Sequence, residues 1–537
     1  MNILIIVPKY NFSIEEDYKY NFPLGLAYIS SVIKQTKKHS VTCLNLNHYK
    51  GTIEELINRE LGSKRYDVAC TGGNTLAYPV LKKIVSTVHS HETHPLIILG
   101  GPIITSEPKS MFDLANPDIA VRGEGEITII EILNCLEKKG DLTKIKGIIC
   151  KNKKNETILT TEREPIKDIE SIPLPDFEGM EFEKFLKHSH CNDSWTNQVF
   201  DFPRPYPLLG SRGCPFNCTF CWHSERYRAR SIKNIIEELE LMIKKYDINI
   251  ITIYDDCFSA DKKRLYDFCK HIKKLSITLS KNIKWTCQLL VNTVDEEMLA
   301  TMKDAGCDSI SYGFESFSLT VLKSMRKPIT PERIDKALKA TLKAKISIQG
   351  NFIFGDVAET KETSKETLRY WESIPEAQQI SLGFVQPYPG SILYDYCLKK
   401  GIIRDKIDYI QNQMSPDTRL NMTEKMTNEE IGELNKKLLD TFRKHFKFVT
   451  PTSFHKTDKN IYEFDFKCPF CKQTTHYQNC AIETPFIYGF HLICRQCHMR
   501  SVLVGPIKKL AYQHYTKTRK LRNLYTKLKK VFKQKRI

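Results

Sequence analysis

Short apolar runs alternate with amphipathic stretches over the first 140 residues, starting with NILIIVP at residues 2–8. Helical spacing follows from about Pro23 to Lys38 and again near Ile53 to Leu61, and later apolar runs end in glycine pairs. Alternating strand and helix patterns are typical of parallel βαβ units. The pattern therefore predicts a doubly wound, Rossmann-like α/β domain over residues 1–140.

The patterning then divides the rest of the chain into further segments. Residues 141–205 are polar and turn-rich, and the prolines in SIPLPDF and DFPRPYP break regular structure, so we expect a linker. From 206 to 400 six strand–helix units follow one another, which predicts a partial (β/α)6 TIM-like barrel with its site at the carboxyl ends of the strands. Residues 401–460 have a polar helical pattern, and residues 461–504 are rich in cysteine.

Composition indicates an ordinary globular chain. Of the 537 residues, 41% are hydrophobic and 27% charged, and runs such as PLIILGGPIIT are too short to span a bilayer. The amino terminus lacks the basic flank and cleavage site of a signal peptide, so a cytoplasmic protein without a transmembrane segment is expected. Eighteen cysteines in such a protein favour metal ligands and buried thiols over disulfides.

The positive charge is concentrated at the carboxyl end. Of a net charge of +18, twelve Lys or Arg and no acid fall in residues 506–537. Leucines recur there at helical spacing, so residues 505–537 are predicted to form a basic amphipathic tail suited to an anionic surface, nucleic acid or an acidic partner. The alternative is a solvated helix with no partner.

Three cysteines share one short loop, SRGCPFNCTFCWH, at Cys214, Cys218 and Cys221. Thiolates at this spacing can converge on an iron–sulfur cluster, which four cysteines usually hold. No fourth cysteine lies nearby, and an iron without a protein ligand resembles a catalytic metal with one open position. A structural zinc or redox loop is the alternative, although zinc sites normally pair two C-x-x-C arms.

The motif CPFNCTFC resembles the cluster loop of the radical S-adenosylmethionine (SAM) enzymes. The resemblance implies a 4Fe-4S cluster whose fourth iron is chelated by SAM, which the cluster cleaves to a 5′-deoxyadenosyl radical. The downstream stretches YDD, GFES, GNFIFG and PYPGS fit the same family in order. The residues predicted to bind SAM are Phe220, Asp255, Asp256, Glu315, Ser316 and Gly350. No acid or base catalyst is assigned, and Leu290 stands where relatives commonly have an arginine.

The first domain resembles the cobalamin (B12)-binding domain that precedes many radical SAM barrels, through FPLGLAYIS, LGGPIITSEP and AVRGEGEITIIEIL. Glycines at strand ends let backbone approach a ligand. The residues predicted to bind cobalamin are Pro8, Gly72, Asn74, Gly100, Gly101, Gly123, Glu124 and Gly125. The D-x-H-x-x-G motif that supplies a lower cobalt ligand is missing, and a domain that binds substrate or nothing is the alternative.

Two C-x-x-C arms, CPFC and CRQC, are separated by 22 residues near the carboxyl end. This spacing predicts a zinc-ribbon-like module with Cys468, Cys471, Cys494 and Cys497 as ligands. A second iron–sulfur cluster is the alternative. Cys480, His476, His491 and His498 lie nearby and are left out of the predicted ligand set.

Together these features predict a cobalamin-dependent radical SAM enzyme, most simply a methyltransferase acting on an unactivated carbon of a small molecule or peptide. The resemblance also implies an external electron donor such as flavodoxin or ferredoxin. The alternatives are radical rearrangement, cyclisation or oxidation without methyl transfer, tRNA modification, and a non-catalytic nucleic-acid or membrane adaptor.

Overall fold

The structure is a computed structural model that describes residues 1–10, 12–222, 226–374, 379–414, 419–484 and 488–514. Most of the predicted basic tail, residues 515–537, lies outside these ranges. Among the described residues, no helix combines the length and the apolarity that a membrane crossing would need.

The first domain is a seven-stranded sheet in the order β2-β1-β3-β4-β5-β6-β7. Its strands are β1 (Asn2–Val7), β2 (Ser40–Asn45), β3 (Val68–Gly72), β4 (Leu96–Gly100), β5 (Ile119–Val121), β6 (Ile148–Lys151) and β7 (Thr157–Leu159). The helices are α1 (Leu24–Gln35), α2 (Ile53–Ser63), α3 (Tyr78–Ser90), α4 (Pro102–Ser106), α5 (Pro108–Ala115) and α6 (Glu126–Glu137). Strands β1 to β5 are parallel, as predicted.

Local sequence explains these elements. Strand β1 buries five of its six residues, as expected of a strand covered by helices on both faces. Helix α2 begins at a capping box, in which the Thr52 side chain accepts from the Glu55 N–H and Glu55 accepts from the Thr52 N–H.

The predicted linker has more structure than the sequence pattern indicates. Strands β6 and β7 extend the first sheet in antiparallel fashion, so the domain continues past residue 140. Helix α7 (Phe182–Lys187) then packs Phe182 against Phe22 and Tyr206, which lie in the first domain and at the start of the second. Turn-forming residues dominate the pattern, while the apolar residues that dock this segment are widely spaced.

The second domain is a six-stranded parallel sheet in the order β15-β14-β13-β12-β11-β8. Its six strands in chain order are β8 (Pro205–Leu208), β11 (Ile250–Ile253), β12 (Lys284–Leu289), β13 (Cys307–Glu315), β14 (Ser347–Phe354) and β15 (Ile380–Phe384). Between β8 and β11, β9 (Ser211–Arg212) and β10 (Arg228–Ala229) pair with each other as a separate two-stranded antiparallel sheet. The helices are α8 (Ile232–Tyr246), α9 (Lys262–Thr278), α10 (Glu296–Asp304), α11 (Leu319–Ser324), α12 (Pro331–Lys343), α13 (Lys361–Ser373) and α14 (Ile392–Lys399). The sequential strand order agrees with the predicted partial barrel, and one apolar core runs through both domains.

The carboxyl-terminal part contains α15 (Lys406–Asp408), α16 (Asn428–His445), β16 (Phe448–Val449), β17 (Ser453–Asp458), β18 (Ile461–Lys467), β19 (Thr474–Ala481), β20 (Gly489–Ile493), β21 (Arg500–Val504) and α17 (Pro506–His514). Strands β16 to β21 form two three-stranded sheets, β17-β18-β19 and β16-β21-β20. We call residues 453–504 the four-cysteine module. Short 3₁₀ turns include Asn197–Val199 and Phe258–Ala260.

Candidate active site

The carboxyl edge of the first sheet opens into a cavity of about 520 Å³, which we call the edge cavity. All eight residues predicted to bind cobalamin line it. Gly101 has φ +92°, and a Cβ there would lie 2.9 Å from the Gly73 carbonyl oxygen, so a larger residue would push the ends of β3 and β4 apart. Among the described residues that line this cavity there is no histidine, in agreement with the missing motif.

The cysteine loop follows β9 and faces a second cavity of about 420 Å³, which we call the cysteine cavity. Cys214, Cys218 and Cys221 all line it. The loop is pinned on both sides, because the Thr219 N–H donates to the Met325 carbonyl at 3.0 Å and the Leu393 N–H donates to the Thr219 carbonyl at 2.8 Å. A hydrogen bond from Cys221 lowers the pKa of the Cys218 thiol. Three thiols around one cavity suit a cluster whose irons each take one thiolate.

A lysine that the sequence analysis missed lies beside these thiols. Lys327 lines the cysteine cavity, and its Nζ lies 2.8 Å from Oε1 of Glu315. Burial lowers the pKa of Lys327, but attraction to Glu315 and the thiols of Cys218 and Cys221 outweighs it and keeps the pKa above its ordinary value. Leu290, at the position where the family resemblance predicts an arginine, lines the same cavity. The cavity therefore has a buried cation without that arginine.

The structure divides the six predicted SAM-binding residues into two groups. Phe220, Asp256 and Glu315 line the cysteine cavity, whereas Asp255, Ser316 and Gly350 are not among its lining residues.

Each of the three that stand apart has a structural function. Asp255 is fully buried and accepts from the Gly210 N–H and the Ser211 hydroxyl, both at 2.6 Å, so it braces the chain just before the cysteine loop. The Ser316 hydroxyl lies 3.2 Å from that of Thr367. A Cβ at Gly350 would lie 2.3 Å from the Phe314 ring, so its smallness serves packing.

Buried ion pairs join the edge cavity to the cysteine loop. Arg212, two residues before Cys214, donates to Glu124 at 2.7 Å and to Glu126 at 2.6 Å, and Arg228 donates to Glu124 at 2.9 Å. Burial raises the pKa of Glu124, but the hydrogen bonds from Arg228 and Arg212 outweigh it and hold the pKa below its ordinary value. Glu124, predicted as a cobalamin contact, is thus also the link between the two domains.

A third cavity of about 520 Å³, which we call the barrel cavity, is lined by side chains from β8, β11, β12, β13 and β14. It shares Tyr10 and Tyr254 with the edge cavity, and Gln288 and Ser311 with the cysteine cavity. The edge and cysteine cavities in turn share Trp222 and Asp256. Each of the three cavities therefore adjoins the other two. The sequence gives no signal for this junction, apart from the aromatic residues Trp222, which follows the CPFNCTFC motif, and Tyr254, which begins the YDD stretch.

The two C-x-x-C arms meet in the four-cysteine module. The Sγ atoms of Cys468, Cys471, Cys494 and Cys497 all lie within 4.8 Å of one another, and these four form the one such metal-ligand group among the described residues. His476 instead contacts Asp465 at 2.9 Å, and Cys480 contacts Cys191. The four predicted ligands thus converge on one place, where they could bind a metal ion.

Comparison with known families agrees with this arrangement. The profile of the B12 binding domain matches residues 14–133, and the profile of the Radical SAM superfamily matches residues 208–370. The chain is therefore a radical SAM enzyme with an amino-terminal B12-binding domain. The Radical SAM domain confirms the predicted 4Fe-4S cluster and SAM as cofactors, and the B12-binding domain confirms cobalamin.

Individual relatives cover most of the chain. An uncharacterized methyltransferase of Pyrococcus horikoshii is 29% identical over 82% of this chain and 92% of its own length. An anaerobic magnesium-protoporphyrin IX monomethyl ester cyclase of Rubrivivax gelatinosus is 24% identical over 83% of this chain and 77% of its own length. The structure of the radical SAM methyltransferase TsrM of Kitasatospora setae, with cobalamin and a 4Fe-4S cluster bound, has a TM-score of 0.60 at 13% identity, over 75% of this chain and 78% of that one. This last similarity concerns the fold.

Proposed function

We propose that the protein is a methyltransferase that acts on an unactivated carbon of a molecule held in the barrel cavity. The observation that carries the proposal is the pairwise contact of the three cavities through Tyr254, Trp222 and Gln288. When bound, the cluster with SAM supplies a 5′-deoxyadenosyl radical, and cobalamin supplies the methyl group. The residues at the junctions hold the substrate next to both groups.

The side chains that line the cysteine cavity and the edge cavity indicate which residues are proposed to hold the cluster, SAM and cobalamin. Cys214, Cys218 and Cys221 ligate the cluster. Lys327 is proposed to pair with the SAM carboxylate, because a buried ammonium is the available counter-charge in this cavity. The glycine edges at residues 72–74, 100–101 and 123–125 are proposed to receive cobalamin.

The barrel cavity favours a substrate with hydrogen-bonding groups and a ring. Amide, hydroxyl and aromatic side chains dominate its lining, and Ile253 is the one branched aliphatic residue among the described residues that contribute. Asp193 adds a carboxyl group whose pKa is raised by burial, although Lys19 lies 3.5 Å away. A long lipid would leave these polar groups without partners, at a cost of about 1–3 kcal/mol for each buried group.

The proposal is tested with anaerobic protein that contains cluster and cobalamin. With SAM and a reductant we expect both S-adenosylhomocysteine and 5′-deoxyadenosine, and we expect the Cys218→Ala variant to lose 5′-deoxyadenosine. Formation of 5′-deoxyadenosine with no S-adenosylhomocysteine, across cobalamin-replete preparations, contradicts methyl transfer. That outcome favours the second candidate, a radical cyclisation, which the cyclase relative supports.

We also propose that the four-cysteine module is a zinc ribbon and that the protein works in the cytoplasm with a flavodoxin or ferredoxin as electron donor. Two hairpin-like turns that each bring two thiols to one point support zinc. None of the eighteen cysteines, all of which lie among the described residues, forms a disulfide, which suits a reducing compartment. Metal analysis distinguishes zinc from a second cluster, because zinc alone adds no iron or sulfide.

A further inference from the structure

One wall of the barrel cavity is built from irregular chain. Six residues between positions 189 and 197 line the cavity, namely Ser189, Asp193, Ser194, Trp195, Thr196 and Asn197. We call residues 189–198 the wall segment. Apart from the 3₁₀ turn that starts at Asn197, it contains no helix or strand. Chain without regular structure keeps its shape only if other parts of the molecule satisfy its backbone and hold its side chains.

The four-cysteine module supplies those partners at the edge of β19. The Asn192 side chain donates to the Ala481 carbonyl and accepts from the Ala481 N–H, both at 2.8 Å. The Cys191 N–H donates to the Asn479 carbonyl at 3.3 Å, and the Asn479 side chain donates back to the Ser189 carbonyl at 3.3 Å. The wall segment thus occupies the free edge of a strand.

A second set of contacts reaches the metal-binding turn itself. Gln198, which is 4% exposed, donates to the His491 carbonyl and accepts from the Ile493 N–H, both at 2.7 Å. Arg495, which lies between the ligands Cys494 and Cys497, donates from Nε to the Gln198 carbonyl at 2.8 Å. Gln198 is therefore held by residues on both sides of Cys494, one of the predicted metal ligands.

The module also contacts the barrel directly. Arg500 lies 5.9 Å from the centre of the Trp195 ring and donates from Nη2 to the Ile348 carbonyl of β14 at 3.3 Å. The His498 ring contacts the Ser347 hydroxyl at 3.2 Å. The module is thus attached both to the wall segment and to a strand of the cavity that the wall completes.

We propose that the four-cysteine module is a positioning element of the substrate site: metal binding closes its turns, and these hold the wall segment in the shape that the barrel cavity requires. The inference rests on the proposed function in treating the barrel cavity as the substrate site and the four-cysteine module as a metal site. It assigns the module a role in substrate recognition that does not involve nucleic acid and does not involve contact with the cluster or SAM.

The test separates the contacts from the metal. In the full-length protein with its cofactors, Asn192→Ala combined with Gln198→Ala removes the side-chain contacts, and neither residue is a metal ligand or a lining residue of the cavity. Cys471→Ser removes a ligand. Gln473→Ala, an exposed residue of the same module, is the control. Hydrogen exchange is measured by mass spectrometry for residues 189–198 and for β11, along with zinc, iron and SAM cleavage without substrate.

We expect the double variant to keep its zinc, its iron and its rate of SAM cleavage, while amide exchange in residues 189–198 becomes at least tenfold faster and β11 is unchanged. Cys471→Ser should lose zinc and show the same local increase. Unchanged exchange in the double variant overturns the inference. If Cys471→Ser also speeds amide exchange in β11, its effect is not local, and the double variant is then the test of whether the module holds the wall segment. Failure of methyl transfer would appear as missing S-adenosylhomocysteine, a readout independent of exchange.

Discussion

Lys327 and Glu315 form an ion pair at 2.8 Å beside the cysteine loop, with side chains only 14% and 9% exposed. The pair brings a cation from the loop after α11 to the end of β13, in a cavity where position 290 is leucine and not arginine. A buried carboxylate next to the SAM site would repel the SAM carboxylate, and the ammonium of Lys327 offsets that charge.

The first prediction concerns this cation. Lys327→Met should weaken SAM binding to cluster-loaded protein by at least tenfold, about 1.4 kcal/mol, because Glu315 is left unpaired. Lys327→Arg should restore most of the affinity, since it restores the charge. Equilibrium dialysis with SAM measures both, with iron content as a check on the cluster. Lys323→Met, an exposed lysine of α11, is the control. If the SAM affinity of Lys327→Met lies within twofold of the native value, Lys327 does not contribute to SAM binding.

The second prediction concerns the ion pairs between the domains. Arg212→Met leaves Glu124, which is 7% exposed, with Arg228 alone, and takes this ion pair from Glu126, which is 8% exposed. Breaking a buried pair costs about 3–5 kcal/mol. We expect a clearly lower thermal unfolding midpoint and a lower ratio of retained cobalamin to protein. Lys233→Met breaks a pair whose lysine is 87% exposed and should change little. Equal changes in unfolding midpoint and cobalamin retention in Arg212→Met and Lys233→Met would show that the Arg212 ion pairs do not stabilise the contact between the domains.

Glu124 gives this link a pH dependence. Its pKa is held below the ordinary value in the folded protein, so its contribution to stability is present above the unfolded pKa of about 4.3 and is lost as the pH falls through the lower folded value. Cobalamin retention should therefore be insensitive to pH between about 5 and 8 as far as this group is concerned. Glu124→Gln removes the charge at every pH, so it should retain less cobalamin than the native protein throughout that range.

The third prediction concerns Gly101. Its φ of +92° and the 2.9 Å approach to the Gly73 carbonyl leave no room for a side chain, so Gly101→Ala should distort the edge cavity and reduce cobalamin retention severalfold. Gly62→Ala is the matched control, because it lies in α2 with open space around it and should gain about 0.5–1 kcal/mol of stability. Normal cobalamin content in Gly101→Ala would show that cobalamin binding does not require a glycine at position 101.

The site is predictable from the sequence where its residues are close together in the chain. Short motifs supply the cysteine trio, every glycine edge and both C-x-x-C arms, and the chemistry of these motifs depends on spacing. The structure places the cysteine trio around one cavity, the glycine edges around another and the two arms at one point. Asp255 shows the limit of such motifs, because a carboxylate at a strand end can serve either a ligand or the backbone. Here it accepts from Gly210 and Ser211.

Contacts between distant segments cannot be predicted in this way. Lys327 reaches the cysteines across about a hundred residues of sequence, and Asn192 meets Ala481, which lies 289 positions further along the chain. The pattern of residues 141–205 predicts a linker because turn residues dominate it, yet β6 and β7 complete the first sheet. Only the packed fold reveals that such a segment satisfies a neighbouring strand edge.

The last prediction uses a buried carboxyl group after β14. Glu359 is 1% exposed and accepts from the Thr363 hydroxyl at 2.5 Å and the Gly355 N–H at 3.3 Å. Burial raises its pKa to about 7. A folded pKa above the unfolded value of about 4.3 means that the folded state holds the proton more tightly, so stability falls as the pH rises from about 4.3 to 7 and is level above that.

Glu359→Gln keeps a neutral acceptor in the same place and should abolish this fall. We expect the urea midpoint of Glu359→Gln to match that of the native protein near pH 5 and to exceed it at pH 8, by up to about 3 kcal/mol in the free energy of unfolding. Glu372→Gln, an exposed residue of α13 that does not contribute to the raised pKa of Glu359, should track the native protein at both pH values. A Glu359→Gln variant less stable than native protein at pH 8 would contradict the prediction, because it would show that the ionised carboxylate is favourably bonded in the folded protein.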